Sequence, residues 1–212
     1  MQFDRMVKPC YIRRPMTTTD PEKRILDAAT SVFERDGFAG ARMQVIADEA
    51  GISKASLHYY FRSKEKLFDR IFQDYMDRVM PIISTWEDDS DKWQPKVRQF
   101  VQAMMELFRD TSLLFIVQEL QRDPAKLEAR MAAKRKGPNS FIKYYERLLA
   151  KDLVRERDPR VLAVAMHSLC AYPYLNAPML CGALRMRRPE YDKFLPGYAD
   201  DVAELLIRMM QK

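Results

Sequence analysis

Residues 44–61 read QVIADEAGISKASLHYYF, and this stretch decides the fold. Three of its apolar side chains lie about one helical turn apart and share a helix face: Ile46, Ala47 and Ala50. Gly51 then ends the helix, because the left-handed backbone at that point suits glycine. Ser53 follows as the N-cap of a second helix, with Leu57 and Phe61 on its inner face. The stretch therefore predicts two short helices joined by a tight glycine turn, the helix-turn-helix pattern.

The outer face of the second predicted helix carries hydrogen-bond donors and a cation. Its side chains are Lys54, Ser56, His58, Tyr59 and Tyr60. Groups of these kinds bind phosphates and the edges of bases. The second helix is therefore a candidate for contacting DNA.

A longer run that includes this stretch resembles a known family. The residues that carry the resemblance are Ile46-Ala47, Ala50-Gly51-Ile52-Ser53-Lys54, Leu57, Tyr59-Tyr60-Phe61, Ser63-Lys64-Glu65 and Leu67. They are similar to the DNA-binding domain of the TetR/AcrR family of bacterial transcriptional regulators, over roughly residues 20–68. The rest of the chain resembles the family in length and in its all-helical pattern. The resemblance implies a dimeric regulator that binds double-stranded DNA and a small-molecule effector.

Several positions depart from the family pattern. Arg42 and Met43 stand where a Thr or Ser usually caps the first motif helix, although Arg42 could reach a phosphate instead. Ala55 and Ser56 replace the common Gly or Pro and Thr, and His58 replaces a common Tyr. These differences bear on the sequence of the operator and leave the DNA-binding prediction in place.

The predicted DNA contacts combine the resemblance with residue chemistry. Lys54 is expected at a guanine edge or a phosphate, and Gln44 at an adenine. Four other side chains are expected to hold phosphates, and His58 could do either. The four residues expected to hold phosphates are Ser56, Tyr59, Tyr60 and Lys64. The full predicted set is Arg42, Gln44, Ser53, Lys54, Ala55, Ser56, His58, Tyr59, Tyr60 and Lys64.

Composition limits the other function classes. The chain has 212 residues, a net charge of +6 and a sequence pI of about 9.2, which is compatible with DNA binding without proving it. The cysteines are Cys10, Cys170 and Cys181, an odd number without C-x-x-C spacing, which indicates a reducing, cytoplasmic compartment. With two histidines, His58 and His167, we expect no metal site, and no cofactor motif is present. No apolar run approaches the roughly 18 residues of a transmembrane helix.

The domain prediction has three parts: a disordered tail over 1–19, a helix-turn-helix domain over 20–66 and an effector-binding and dimerisation domain over 67–212. Three Asp-Pro pairs mark helix starts, at residues 20–21, 123–124 and 158–159. Ser63 caps a helix that Pro81 should kink or end. Later helices are expected over 94–109, 111–122, 124–136, 140–151, 158–176 and 196–212, with no strand.

The larger domain is rich in Met and aromatic residues, which could line an apolar pocket. The predicted ligand-binding set is Phe108, Phe115, Tyr144, Tyr145, Met166, His167, Cys170 and Tyr174, with Tyr172 and Asn176 as further candidates. The alternative interpretation is that each of these residues fills a helical core. No nucleophile or carboxylate partner can be placed beside His167, so the sequence does not predict an enzyme.

The sequence favours an all-α, two-domain dimeric repressor. In the family the last two long helices form the dimer, which here means 158–176 and 196–212. Their apolar residues are expected in that interface: Leu162, Met166, Leu169, Val202, Leu205, Leu206 and Met209. Two alternatives stay open, a DNA-bound protein of the same fold controlled by a protein partner, and a helical enzyme with a vestigial motif.

Overall fold

The structure, a computed structural model, describes residues 20–110, 114–122 and 139–212. Within these ranges the chain forms ten α-helices and no strand, which confirms the predicted all-α fold. The helices are α1 Pro21–Gly40, α2 Met43–Ala50, α3 Lys54–Tyr60, α4 Lys64–Ser84, α5 Trp93–Arg109, α6 Leu114–Arg122, α7 Asn139–Ala150, α8 Pro159–Leu175, α9 Ala177–Ala183 and α10 Arg188–Met210. The predicted tail over 1–19 and the predicted helix over 124–136 lie outside the described residues. None of the described helices has the length and apolar character needed to cross a bilayer.

The chain divides into two compact units between Leu67 and Phe68, inside α4. The N-terminal unit contains α1, α2, α3 and the first turn of α4. The C-terminal unit contains the rest of α4 and the later helices. Each unit is described separately below.

In the N-terminal unit, α1 begins at the first Asp-Pro pair, as predicted. The Asp20 carboxylate accepts the backbone N–H of Glu22 at 3.0 Å, and Pro21 occupies the first turn, where its missing N–H costs no hydrogen bond. The buried stripe of α1, which packs against α2, is Ile25, Ala28, Ala29, Val32 and Phe33. Gly37 interrupts the regular helix with φ 69° and ψ 165°, and helical backbone then resumes as far as Gly40.

Helix α4 starts after its predicted cap, Ser63, and continues beyond Pro81. The Ser63 hydroxyl accepts the backbone N–H of Lys66 at 3.3 Å. Pro81 lies inside α4, which continues to Ser84, so the helix ends one turn later than the earliest predicted end.

The core of the C-terminal unit is built around α5, which packs against α8 and α10. The buried residues of α5 are Trp93, Lys96, Val97, Phe100, Val101, Met104, Met105, Leu107 and Phe108. An aromatic cluster surrounds Trp86, whose ring centroid lies 5.2 Å from that of Phe100, 5.0 Å from that of Phe141 and 5.5 Å from that of Tyr144. These rings join the end of α4 to α5 and α7.

Lys96 is a buried cation at the edge of this cluster. Its ammonium donates to the Thr85 carbonyl at 2.8 Å and to the Asp88 carboxylate, and it lies 4.8 Å from the centroid of the Tyr144 ring. The hydrogen bond from Lys96, together with the Ser90 backbone N–H, lowers the pKa of Asp88. Because a buried charge is costly without partners, these contacts fix the loop between α4 and α5.

Of the last two long helices, α8 starts where the sequence predicts and α10 does not. Asp158 caps α8 as predicted, accepting the backbone N–H of Arg160 at 2.9 Å. The predicted start of the final helix at Pro196 is wrong, because α10 begins at Arg188 and Pro196 lies inside it. The Glu190 carboxylate accepts the backbone N–H of Arg187 at 2.8 Å, which satisfies one free amide at the true start.

Buried thiol and phenol groups in this core give the stability a dependence on pH. Burial raises the pKa of the Cys170 thiol from 9.0 to about 12. The unfolded state therefore loses this proton first as the pH rises. The contribution to the free energy of unfolding is complete below pH 9.0 and is lost progressively between 9.0 and about 12. Burial likewise raises the pKa of Tyr144 and of Tyr191 from 10.0 to about 12, so their contributions fall at higher pH.

We expect the stability of Cys170→Ala to be less sensitive to pH than that of the unmodified protein between pH 9 and 10, where ionisation of the tyrosines contributes equally to both proteins. The slope due to one thiol is at most about 1.4 kcal/mol per pH unit, and urea unfolding at several pH values measures it. Ser168→Ala, a small change at an exposed position of the same helix, is the control for the substitution itself and should keep the original slope. Equal slopes for Cys170→Ala and the unmodified protein would contradict the argument.

Candidate nucleic-acid interface

The turn between α2 and α3 has the predicted glycine geometry. Gly51 is left-handed, with φ 67° and ψ 39°, and its N–H bonds to the Ala47 and Asp48 carbonyls. The Ile52 N–H also reaches the Ala47 carbonyl at 3.0 Å. These bonds satisfy carbonyls at the end of α2, so the chain can turn within three residues.

The third helix buries one side chain and exposes the others. Ser53 caps α3 by accepting the backbone N–H of Ser56 at 3.0 Å, as predicted. Leu57 is fully buried and Phe61 nearly so, which holds the helix on the unit. The exposed residues of α3 are Lys54, Ala55, Ser56, His58, Tyr59 and Tyr60. Tyr59 is 84% exposed, so its ring is available to a partner rather than to the core.

The charge around α3 is segregated. Residues 20–67 contain eight cations, Lys23, Arg24, Arg35, Arg42, Lys54, Arg62, Lys64 and Lys66, and eight acids, Asp20, Glu22, Asp27, Glu34, Asp36, Asp48, Glu49 and Glu65. The net charge of this segment is therefore close to zero. Residues 50–64 contain no acid, however, and this stretch includes the whole of α3. Lys54, Arg62 and Lys64 therefore give this stretch a local excess of positive charge, which favours phosphates.

Two cations of α1 are used inside the N-terminal unit. The Arg24 guanidinium donates to the Ala50 carbonyl at 2.5 Å and to the Gly51 carbonyl at 3.3 Å, at the end of α2. Arg35 pairs with Glu49 at 3.1 Å, and Glu49 also accepts the Ser31 hydroxyl at 2.6 Å. The sequence does not reveal these contacts, because each of them joins residues that are distant along the chain.

Two of the residues predicted to contact bases have hydrogen-bond partners four residues along the chain. The Gln44 amide nitrogen donates to Asp48 at 2.8 Å, one helical turn along α2. The His58 ring nitrogen Nδ1 lies 3.3 Å from the Arg62 carbonyl. Both side chains are exposed, as is Arg42, for which the structure shows no side-chain cap at the start of α2. A base contact by Gln44 would therefore replace its bond to Asp48.

Lys64, for which the sequence predicts a phosphate contact, has partners within the N-terminal unit. Its ammonium donates to the carbonyls of Phe38 at 2.6 Å, Ala41 at 3.0 Å and Ala39 at 3.3 Å. It also lies 4.7 Å from the centroid of the Phe38 ring. The sequence predicts a phosphate contact for this residue, whereas the structure assigns its three N–H donors to protein carbonyls.

The predicted ligand-binding residues do not form one group. Phe108 and Tyr174 stack with ring centroids 6.5 Å apart, and Met166 and Cys170 are buried on the same face of α8 as Tyr174. Phe115 instead packs against Phe68, with centroids 6.1 Å apart. The structure therefore stacks two members of the predicted set, Phe108 and Tyr174, and buries Met166 and Cys170 on the same face of α8 as Tyr174.

Three other members of the set have roles in the fold. The Tyr144 hydroxyl donates to the Ser90 carbonyl at 2.9 Å, and the Tyr145 hydroxyl donates to the Arg155 carbonyl at 2.5 Å. The side chain of His167 is exposed, and its Nδ1 lies 3.0 Å from the Ala163 carbonyl. The two buried phenols, whose hydroxyls are satisfied, act as core residues, while the predicted part of His167 in a pocket stays a prediction.

The predicted dimer face also needs correction. Leu162, Met166, Val202 and Leu206 are buried within the chain itself, and among the predicted residues Leu205 is clearly exposed, at 49%. The exposed apolar side chains of α8 are different ones, Val161 at 61%, Val164 at 66% and Tyr172 at 44%. They lie on one helix face, because their spacings of three and eight residues return to the same side.

Comparisons with known proteins agree with this architecture. Residues 25–71 match the family described as bacterial regulatory proteins, tetR family. The chain is 29% identical over 119 residues to the HTH-type transcriptional regulator RutR of Escherichia coli K12, covering 55% of this chain and 56% of RutR. It is 33% identical over 97 residues to the HTH-type transcriptional repressor SCO4008 of Streptomyces coelicolor, covering 44% and 50%. The chain thus spans about half the length of these curated relatives.

A solved structure extends the likeness of the fold to most of the chain. A TetR-family transcriptional regulator from Haemophilus influenzae superposes with a TM-score of 0.60 at 16% identity, covering 92% of this chain and 98% of that one. At this identity the superposition is evidence for the fold alone. Together the comparisons confirm the resemblance to the TetR family that the motif around Gly51 indicates.

Proposed function

We propose, on the premise that residues 25–71 are a TetR-family N-terminal domain, that this protein is a ligand-responsive, DNA-binding regulator of transcription. It acts as a cytoplasmic repressor that occupies a palindromic operator and leaves it when a small apolar or aromatic effector binds. The observation that carries the proposal is the exposed, acid-free surface of α3, which is held on the unit by the buried side chain of Leu57.

The proposed DNA contacts follow from exposure and chemistry. The third helix enters the major groove, where Lys54 at its N-terminal end meets a guanine edge or a phosphate and Gln44 reads an adenine. The phosphate contacts come from exposed donors that flank the groove: Arg42, Ser56, Tyr59, Tyr60 and Arg62. Arg62 is added to the predicted set because it is an exposed cation in the acid-free stretch.

The proposed dimer uses the exposed apolar face of α8, with Leu205 of α10. Val161, Val164 and Tyr172 expose apolar surface that a second copy can bury. A two-fold pairing of this face presents two recognition helices to the two halves of a palindrome.

The proposed effector site is the apolar region around Phe108 and Tyr174. Methionine adapts its shape at low cost, so Met166, about two turns before Tyr174 on the buried face of α8, suits an apolar ligand. An effector releases DNA only if it prefers the state that cannot bind DNA. A complete switch requires roughly a 10⁴-fold preference, or about 5.5 kcal/mol.

Two alternatives remain in view. A protein partner could replace the small effector, and the effector experiment below separates these cases. The third reading, a helical enzyme with a vestigial motif, has little support, since the curated relatives are named as transcriptional regulators.

The DNA-binding part is tested by selecting duplexes from a random-sequence pool with the full-length protein. We expect the selected sequences to form a palindrome.

Gln44→Ala should weaken binding to the selected duplex by roughly 1–3 kcal/mol per base contact and relax the preference at one position in each half-site. Arg62→Met should instead weaken all sequences alike and lower the log–log salt slope by about two units per dimer. Lys143→Met, the same charge change at an exposed position of α7, is the control. Selection of no preferred sequence would refute the proposal.

The dimer is tested by Val164→Asp. A carboxylate buried without a partner is costly, so this variant should sediment as a monomer and bind the selected duplex poorly. Gln102→Asp places a new acid at an exposed position of α5 and should remain dimeric. Sedimentation of the unmodified protein as a monomer at micromolar concentration would contradict the proposed interface.

The effector site is tested by thermal unfolding with a panel of small apolar and aromatic compounds. A compound that binds the folded state raises the melting temperature and should release the selected duplex. Phe108→Leu should raise the concentration needed for release while leaving DNA affinity nearly unchanged. Tyr145→Phe, which removes a hydroxyl bonded to the Arg155 carbonyl, is the control and should not change that concentration. If no compound in the panel raises the melting temperature, the protein-partner alternative is favoured.

A further inference from the structure

The ammonium of Lys64 faces the last residues of α1, beyond the interruption at Gly37, and the residue that follows the helix. Three carbonyls converge on it, those of Phe38, Ala39 and Ala41, at 2.6, 3.3 and 3.0 Å. The ring of Phe38 adds a cation–π contact at 4.7 Å. A lysine ammonium has three N–H donors and no acceptor, so this arrangement uses all of them.

Residues 38–41 need a cationic partner for their carbonyls because the helix is interrupted at Gly37. Gly37 leaves the helical region with φ 69° and ψ 165°, so the backbone beyond it is no longer continuous with the helix. The Ala41 N–H returns to the Gly37 carbonyl at 3.1 Å. The carbonyls at a helix end carry partial negative charge, and a cation there is favourable.

We propose that Lys64 is a positioning residue for DNA recognition and makes no phosphate contact. Ala41 immediately precedes Arg42 and α2, so fixing residues 38–41 from the first turn of α4 sets the place of Arg42 and Gln44. This inference rests on the proposed DNA-binding function for its consequence, whereas the enclosure of the ammonium stands without it.

A phosphate contact by Lys64 would require breaking these charge-assisted hydrogen bonds, which are stronger than neutral ones. In the part of the chain that the structure describes, no such set of carbonyls surrounds the exposed cations nearby, which are Lys54 at the start of α3 and Arg62 just after it. The cations of this unit are thus divided between those that hold the backbone and those that face outward.

The test compares three variants of the full-length protein. Lys64→Met removes the ammonium and keeps an unbranched apolar stem, Lys64→Arg keeps the charge and the donors, and Lys66→Met makes the same charge change at an exposed position two residues along α4. Amide hydrogen exchange in the free protein should quicken over residues 41–45 in Lys64→Met alone. Unchanged exchange there would overturn the enclosure as a constraint.

The second measurement is the ratio of affinity for the selected duplex to affinity for a scrambled duplex, at a temperature where every variant is fully folded. Lys64→Met should lower this ratio on the order of tenfold with the salt slope unchanged, because it loses positioning and no phosphate contact. Lys64→Arg should restore much of the ratio, and Lys66→Met should keep it.

Two outcomes would overturn the proposal. A salt slope lower by about two units per dimer in Lys64→Met would show a phosphate contact instead. A lower melting temperature with an unchanged ratio would show a role in stability alone. If the unmodified protein selects no preferred duplex, the proposed function fails, and the exchange measurement still decides whether Lys64 holds the segment.

Discussion

The left-handed backbone at Gly51 is the constraint on which the surface of α3 depends. It lets the chain turn between α2 and α3 within three residues, so that Leu57 enters the core while Lys54 and Tyr59 face outward. Most other residues would incur left-handed strain of about 1–2 kcal/mol, and Asn and Asp would incur less. A Cβ at position 51 would also lie 3.0 Å from the Arg24 guanidinium. The bonds from Arg24 to the carbonyls of the turn therefore favour glycine at position 51.

The elements that could be predicted from the sequence are those fixed by local hydrogen bonds. Asp20, Ser53, Ser63 and Asp158 each cap a helix through a bond to a residue two or three positions along the chain. Such bonds need no tertiary partner, so residue type and spacing reveal them. The sequence predicts that α10 starts at Pro196, because proline favours the first turn of a helix. In the structure Pro196 lies inside the helix instead. Glu190 after Pro189 was the better signal, since it can return to the free amide of Arg187.

The partners that could not be predicted are distant in sequence. Lys64 binds carbonyls that lie more than twenty residues earlier, and Tyr144 binds the Ser90 carbonyl across an even longer interval. Periodicity identified apolar residues on α8 and α10, yet it could not separate the face that packs within the chain from the face left exposed. Val202 and Leu205 differ by three positions, and the first is buried while the second is half exposed. Only the packing of α5 against both helices decides between them.

The charge distribution changes what the positive net charge of the chain means. The segment over 20–67 has equal numbers of acids and cations, so the excess of +6 arises from the rest of the chain. Long-range attraction of DNA by this segment is consequently weak, and screening within roughly 8–10 Å reduces it further. Affinity at the surface of α3 must come from contacts at short range, where the absence of acids over 50–64 matters most. Because Arg24, Arg35 and Lys64 bind groups within the unit, the phosphate contacts are fewer than the cations in the sequence suggest. The salt dependence of binding counts phosphate contacts directly, and it therefore measures this division of the cations.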